Sequence, residues 1–270
     1  MKLSIRDRAF GHSPYSNNPM PPVTFSKHME WDRTSPASEN TIYTDAEIFT
    51  APDGAIAWLI EPIYHRPDAY EFLLEKGPRM KEIWTSDRKL MDMLPNTRFV
   101  PFGGCWIAPD DRKLWPKSKD VSIIVSVKRG SEAYDMRHEA AKLKGVDAYG
   151  WEYTRLDHKI EGLRDYRFQV VIENQRGDWW FTEKLIDCFA TGTVPIYRGC
   201  PSIGKFFNTD GMILVDDLKD IQQALHHCTP KQHNKMFAAV FDNFERAKKY
   251  YLAEDWLCEN EPDLMKRLAL

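Results

Sequence analysis

The residues best suited to chemistry crowd into one stretch, Tyr166–Gly199. There Glu173 and Asn174 follow an apolar, β-branched run, Phe168–Ile172, and Thr182, Glu183 and Lys184 open a helical pattern. A short apolar run bounded by polar residues reads as a buried strand of a parallel sheet. Leu185, Ile186, Phe189 and Ala190 share one helical face, Gly192 stops the helix, and Val194–Tyr197 begins the next strand. The polar residues of this β–α–β unit gather at the strand's carboxyl end and the helix's amino end, where open α/β sheets bind ligands. Thr182 suits an N-cap and Glu183 the positive end of the helix dipole. Lys184 opposes that dipole, which fits either an ordinary exposed lysine or a cation aimed at a bound anion.

The same alternation runs through the rest of the chain. Residues 1–3, 41–48 and Ile56–Ile60 read as strands, and Pro62 forces the chain out of the ladder so that Glu61 stands at a strand's carboxyl edge. Helices over 67–78 and Asp87–Met93 alternate with strands at Ile83–Thr85 and Thr97–Pro101. Gly103, Gly104 and the polar run Pro109–Lys119 make a linker. The rhythm then restarts with Val121–Val127, the helix Glu132–Leu143, Val146–Tyr149, Met212–Val215 and the helix Asp217–His226. Residues 231–257 close the chain at helical spacing. Residues 11–40, with Pro14, Pro21, Pro22 and Pro36, read as a functional loop whose residues of interest are His28, Glu30, Trp31 and Asp32.

This pattern predicts an α/β protein of two Rossmann-like halves. The expected division is 1–115 for the first, 116–250 for the second, and 251–270 for a tail returning to the first. No GxGxxG follows any expected strand, which argues against a dinucleotide oxidoreductase.

The 270 residues are 43% hydrophobic and 29% charged, with net charge −3 and no basic bias of the kind that marks nucleic-acid binding. Five scattered cysteines never form CxxC, which disfavours structural zinc and a disulfide framework and suits reduced thiols in the cytoplasm. No apolar run approaches the ~20 residues that span a bilayer, and the amino terminus lacks a signal peptide's apolar core. No Asp-x-Asp pair occurs to hold a divalent ion on a diphosphate. Without a metal, side-chain cations and helix dipoles must stabilise the leaving group.

The words EN at 173–174, TEKLID at 182–187, GTVPIYRG at 192–199 and PSI at 201–203, with Arg137 and VDAYG at 146–150, resemble the donor-binding signature of the α-1,3-fucosyltransferases, glycosyltransferase family 10. The similarity runs over roughly residues 120–220. It implies the GT-B architecture, two Rossmann-like domains facing across a cleft, with 1–115 on the acceptor side, its 11–40 loop at the acceptor cleft, and 116–250 binding the nucleotide-sugar. It also implies an inverting transferase using GDP-fucose, with Lys184 and Arg137 on the diphosphate and Glu183 on the ribose hydroxyls. Asn174 and Glu173 would lie beside sugar and nucleotide, and Trp180 would take the place of an aromatic near the base, with Trp179 as packing or a wall. Arg198 faces either donor or solvent. Inversion needs a general base for the acceptor hydroxyl; Glu61 lies roughly where the family has its catalytic Glu, with Glu30, Asp32 and His28 in reserve. The loop Gln175–Asp178 departs from the family. A UDP-xylose-dependent xylosyltransferase is the first alternative, and a non-catalytic glycan- or nucleotide-binding module the second. The expected partners are a nucleotide-sugar donor and a glycan acceptor.

Overall fold

The computed structural model describes residues 1–7 and 26–268. Contacts divide them into two compact units, one built from 1–104, 177–180 and 249–270 and the other from 105–176 and 181–248.

The first unit carries β1 (Lys2–Arg6), β2 (Glu30–Asp32), β3 (Ile42–Thr44), β4 (Ile56–Leu59), α1 (Pro67–Lys76), β5 (Glu82–Thr85), α2 (Arg88–Met93) and β6 (Thr97–Phe99). Its six strands are all parallel, in the order β2-β1-β3-β4-β5-β6. Central strands of such a sheet are covered on both faces, which is why Ile56–Leu59 is apolar at every position and fully buried. Pro67 starts α1 with a φ already suited to a helix, and the Asp87 carboxylate caps α2 by accepting from the Leu90 amide. Residues 45–48, expected to continue a strand, form part of a 3₁₀ turn over Asp45–Thr50 instead.

The stretch expected to be an acceptor loop holds β2, and Trp31 on it is a core residue. Its ring is 1% exposed and packs 6.0 Å from Trp58, which in turn meets Trp84 at 5.7 Å. Three residues between polar neighbours show no periodicity, so this edge strand has no sequence signature. The part of that expectation falling on 11–25, including Pro14, Pro21 and Pro22, lies outside the described residues.

The second unit carries β7 (Lys119–Ile124), α3 (Glu132–Ala140), β8 (Val146–Tyr149), β9 (Tyr166–Ile172), α4 (Glu183–Thr191), β10 (Val194–Arg198), β11 (Ile213–Leu214), α5 (Leu218–Leu225) and α6 (Pro230–Ala247). The sheet is parallel in the order β11-β10-β9-β7-β8. Chain direction across the sheet therefore reverses between β7 and β9, and the carboxyl ends of those two strands form the crevice where such folds bind ligands. Phe168, Val170, Ile172, Val194 and Ile196 fill the core beneath it. Gly192 ends α4 with φ +72, a left-handed residue that costs glycine nothing.

The closing helix expected over 231–257 is broken. After α6 the chain turns, and α7 (Ala253–Asn260) and α8 (Pro262–Leu268) pack into the first unit's core through Leu257, Leu264 and Met265. Glu254 anchors this return by accepting from the Trp31 indole at 3.0 Å.

Candidate active site

In the second unit the end of β9 and the start of α4 are locked by one buried carboxylate. Glu173 is 0% exposed; Oε1 accepts the Thr182 amide at 2.9 Å and Oε2 the Thr182 hydroxyl at 2.8 Å. That hydroxyl also accepts from the Lys184 amide at 3.3 Å, capping α4, and from Lys184 Nζ at 3.1 Å. The Lys184 ammonium thus lies against its own helix's amino end, 3.1 Å from Glu183 Oε1 and 3.7 Å from Glu173 Oε2. The cation that opposes the dipole is tolerated because two carboxylates flank it.

Arg137 reaches the same place from α3. Nε donates to the Ile172 carbonyl at 2.9 Å, Nη2 donates to that carbonyl and, at 2.8 Å, to Asn174 Oδ1, and the guanidinium packs over the Tyr134 ring. Nη1 makes no hydrogen bond among the described residues. Burial pushes the Arg137 pKa down while the Glu173 charge opposes it, and an arginine stays cationic throughout. Glu183 is buried, which raises its pKa, but the Lys184 and Lys159 ammonium groups outweigh that and hold the carboxyl down at about 2.

Arg137, Glu173, Asn174, Glu183 and Lys184 are therefore one cluster. Trp180 belongs with residues 177–180 to the first unit, where its ring is 2% exposed and packs 5.2 Å from Phe102. Its indole N–H has no partner among the described residues. Trp179, at φ +68, packs edge-on against Phe99 at 5.1 Å and under Arg88. Arg198 is an internal tie, donating from Nε to the Asp216 carbonyl at 2.8 Å and from Nη2 to Glu132 at 2.6 Å.

Sequence reasoning missed Lys159 and Asp187. Lys159 pairs with Asp187 at 2.6 Å, lies 4.0 Å from Glu183, and covers the Trp106 ring. Burial would lower its pKa, but Asp187 and Glu183 outweigh burial and keep the ammonium charged. Asp187 Oδ1 also accepts the Trp106 amide at 2.7 Å. The available signal was a carboxylate one turn after Glu183 on an otherwise apolar helix face, which demands a buried cation.

Glu61 belongs to the first unit, two residues past β4, with its side chain 42% exposed. Oε2 meets His65 Nδ1 at 3.0 Å. The reserves are differently placed. Asp32 is 3% exposed and saturated by the amides and hydroxyls of Thr34 and Ser35, which hold its pKa well below the usual carboxylate range. His28 and Glu30 are exposed, and His28 Nε2 lies 3.8 Å from Glu259. Among the described residues, no group of three or more His, Cys, Asp or Glu is placed to hold a metal ion, and no helix is long and apolar enough to cross a membrane.

Solved structures share this fold. An α1,3-fucosyltransferase with GDP-fucose superposes with a TM-score of 0.56 at 14% identity, covering 93% of this chain and 88% of that one. A T4 phage BGT mutant in complex with UDP-glucose gives 0.51 at 10% identity, over 96% and 99%. The fold is thus α/β of the GT-B type. Among curated relatives, the α-(1,3)-fucosyltransferase of Helicobacter pylori is 39% identical over 70 residues, 26% of this chain and 15% of that protein. A putative fucosyltransferase of Acanthamoeba polyphaga mimivirus is 24% identical over 200 residues, 65% of this chain and 33% of the relative. The chain matches a third or less of the length of these relatives. The model of glycosyltransferase family 10 (fucosyltransferase), C-terminal region, matches residues 114–260, just over half of the chain. The second unit's strands, its capped helix α4 and its cluster of cations and carboxylates all fall within that match, and the chain belongs to glycosyltransferase family 10.

Proposed function

We propose that this glycosyltransferase moves fucose from GDP-fucose to a glycan hydroxyl without a metal ion. The observation that carries the reading is the convergence of Arg137, Lys184 and the amino end of α4 on the carboxyl end of β9. A diphosphate there meets an ammonium, a guanidinium with an uncommitted Nη1 and the positive end of a helix dipole, three groups that stabilise charge developing on a leaving phosphate. Glu183, kept ionised, is suited to accept from ribose hydroxyls, and Asn174, held by Arg137, to orient the sugar.

Glu61 is the proposed base. As the acceptor oxygen bonds to the anomeric carbon, the bond to the diphosphate breaks with its electron pair, and the acceptor proton passes to the Glu61 carboxylate. Glu173 and Asp187 are engaged by Thr182, Trp106 and Lys159, which favours direct displacement with inversion over a glycosyl-enzyme. The anomeric coupling of the first-formed product, read by NMR, decides this; retention would remove the case for Glu61 as a simple base.

The test of the donor is calorimetric titration of GDP, UDP, GDP-fucose and UDP-xylose in EDTA. Tight binding of GDP and GDP-fucose is expected. Preference for the uridine nucleotides would replace fucose with a UDP-sugar such as UDP-xylose, and binding of none would overturn the catalytic reading.

A further inference from the structure

The carboxyl edge of the first unit's sheet holds Glu61 in a frame that its exposure does not suggest. Asp45 follows β3 directly, at φ +38, a left-handed backbone that a residue with a side chain adopts at a cost. Its Oδ1 accepts two amides, from Ile60 at 3.0 Å and from Glu61 at 3.1 Å, where the chain leaves β4. On the far side of Glu61, the Pro62 carbonyl accepts from the His65 and Arg66 amides and folds the chain back. That turn brings His65 Nδ1 to Glu61 Oε2. A carboxylate can only accept, so Nδ1 is the donor and the tautomer is fixed.

We propose that Asp45 and His65 are positioning residues for Glu61, one holding its backbone and the other its carboxylate, so that the three act as a single base assembly. The proposal rests on Glu61 being the base. Backbone amides gripped by one half-buried oxygen fix where the side chain starts, and the imidazole fixes how the carboxylate is turned. Oε2 is thereby occupied, and Oε1 is the oxygen presented to the acceptor hydroxyl. A strained residue kept at the mouth of a parallel sheet, with its carboxylate spent on the neighbouring strand's exit, is what such a frame requires. The charged groups around it are Arg66, which forks onto Asp68 from Nε and Nη2, and Asp68 itself.

The experiment measures GDP release from GDP-fucose, in water and with a β-N-acetylglucosaminide as acceptor, alongside GDP affinity by calorimetry. His65→Ala should lower kcat about 10- to 100-fold with GDP affinity unchanged. His65→Asn, whose amide N–H can stand where Nδ1–H stands, should recover most of that loss, and His65→Gln, whose amide sits at the other ring nitrogen's place, should not. Asp45→Asn keeps an oxygen for the two amides and should lose far less than Asp45→Ala. Should Asp45→Ala not fold, the His65→Asn and His65→Gln contrast carries the test. If Glu61→Gln collapses the rate while His65→Ala and Asp45→Ala remain within about threefold of the parent, the positioning proposal is overturned. Equal rates for His65→Asn and His65→Ala would overturn the part assigned to His65. If Glu61→Gln itself keeps full rate, the reading of Glu61 as base fails first.

Discussion

Replacing Lys184 with methionine removes the charge at the amino end of α4 and keeps most of the side chain's apolar stem. The ammonium lies 3.1 Å from a Glu183 carboxylate that is 7% exposed and 3.7 Å from a Glu173 carboxylate that is 0% exposed. At an effective dielectric near 20, unit charges at those separations attract by about 5 kcal/mol each before desolvation is counted. Desolvation of an ammonium that is itself 27% exposed cancels part of this, and Lys159 and Thr182 remain as partners for the two carboxylates. The expected loss of unfolding free energy in Lys184→Met is therefore about 3 kcal/mol, the low end for breaking a buried pair. Loss of one charge-assisted hydrogen bond to diphosphate should also weaken GDP by about 1.5–3 kcal/mol, roughly 10- to 150-fold. Urea denaturation gives the first quantity and calorimetric titration of GDP the second, at one pH and salt. A folded variant that binds GDP within about twofold of the parent would refute the diphosphate contact. Unchanged stability would refute the ion-pair argument.

Arg137→Lys should cost about 2–3 kcal/mol in urea unfolding, because a single ammonium cannot replace the paired grip on the Ile172 carbonyl together with the bond to Asn174; a loss under about 0.5 kcal/mol would contradict it. Gly150→Ala should cost more than about 3 kcal/mol in the same assay, since its backbone lies at φ +138 and an added Cβ would stand 2.0 Å from the Val125 carbonyl oxygen. Gly130→Ala is the control, at φ +83 with nothing within 4 Å, and should cost only about 1–2 kcal/mol. The pH dependence of stability should carry a signature of Asp45, whose pKa burial raises from 3.8 to about 6 against the Ile60 and Glu61 amides. Between those values the folded chain binds more protons than the unfolded one, so this group's contribution is fully present at low pH and lost as pH rises to 6, by at most about 3 kcal/mol. Asp45→Asn should flatten that slope in urea melts at pH 4.5 and 7.5.

The β9–α4 unit was legible because each of its parts has a local cause: a β-branched apolar run, a threonine that caps, a glycine that stops. Arg137 and Asn174 were legible as words, but their bond to each other was not, since it forms only when α3 packs on β9. Trp180 shows the limit more sharply. Its position in the motif was readable, whereas its burial depends on Phe102, far away in the chain. Trp31 failed for a different reason: a three-residue edge strand between polar residues presents no period to detect. Lys159 escaped because its neighbours in sequence are ordinary turn residues and its partner, Asp187, lies on another element. Parallel pairing was expected from the alternation of elements, but the strand order, which places the crevice between β7 and β9, follows from how crossovers pack and has no local signature.

The missed pair changes how the site balances its charge. Arg137, Lys159 and Lys184 stand against Glu173, Glu183 and Asp187, three cations and three carboxylates, so the cluster is formally neutral. On the proposed reading, an arriving diphosphate therefore competes with internal carboxylates for cations that are already paired. Lys184, at 27% side-chain exposure, is more open than Lys159 at 19%, and it is the group that can turn toward a phosphate. When it does, Glu183 loses the contact that most strongly holds it ionised. On that reading ribose hydroxyls donating to Glu183 replace that contact, and Lys159 keeps the carboxylate paired meanwhile. Nucleoside and diphosphate recognition would then be linked through one carboxylate, with Lys159 supplying the charge that stays in place when Lys184 turns.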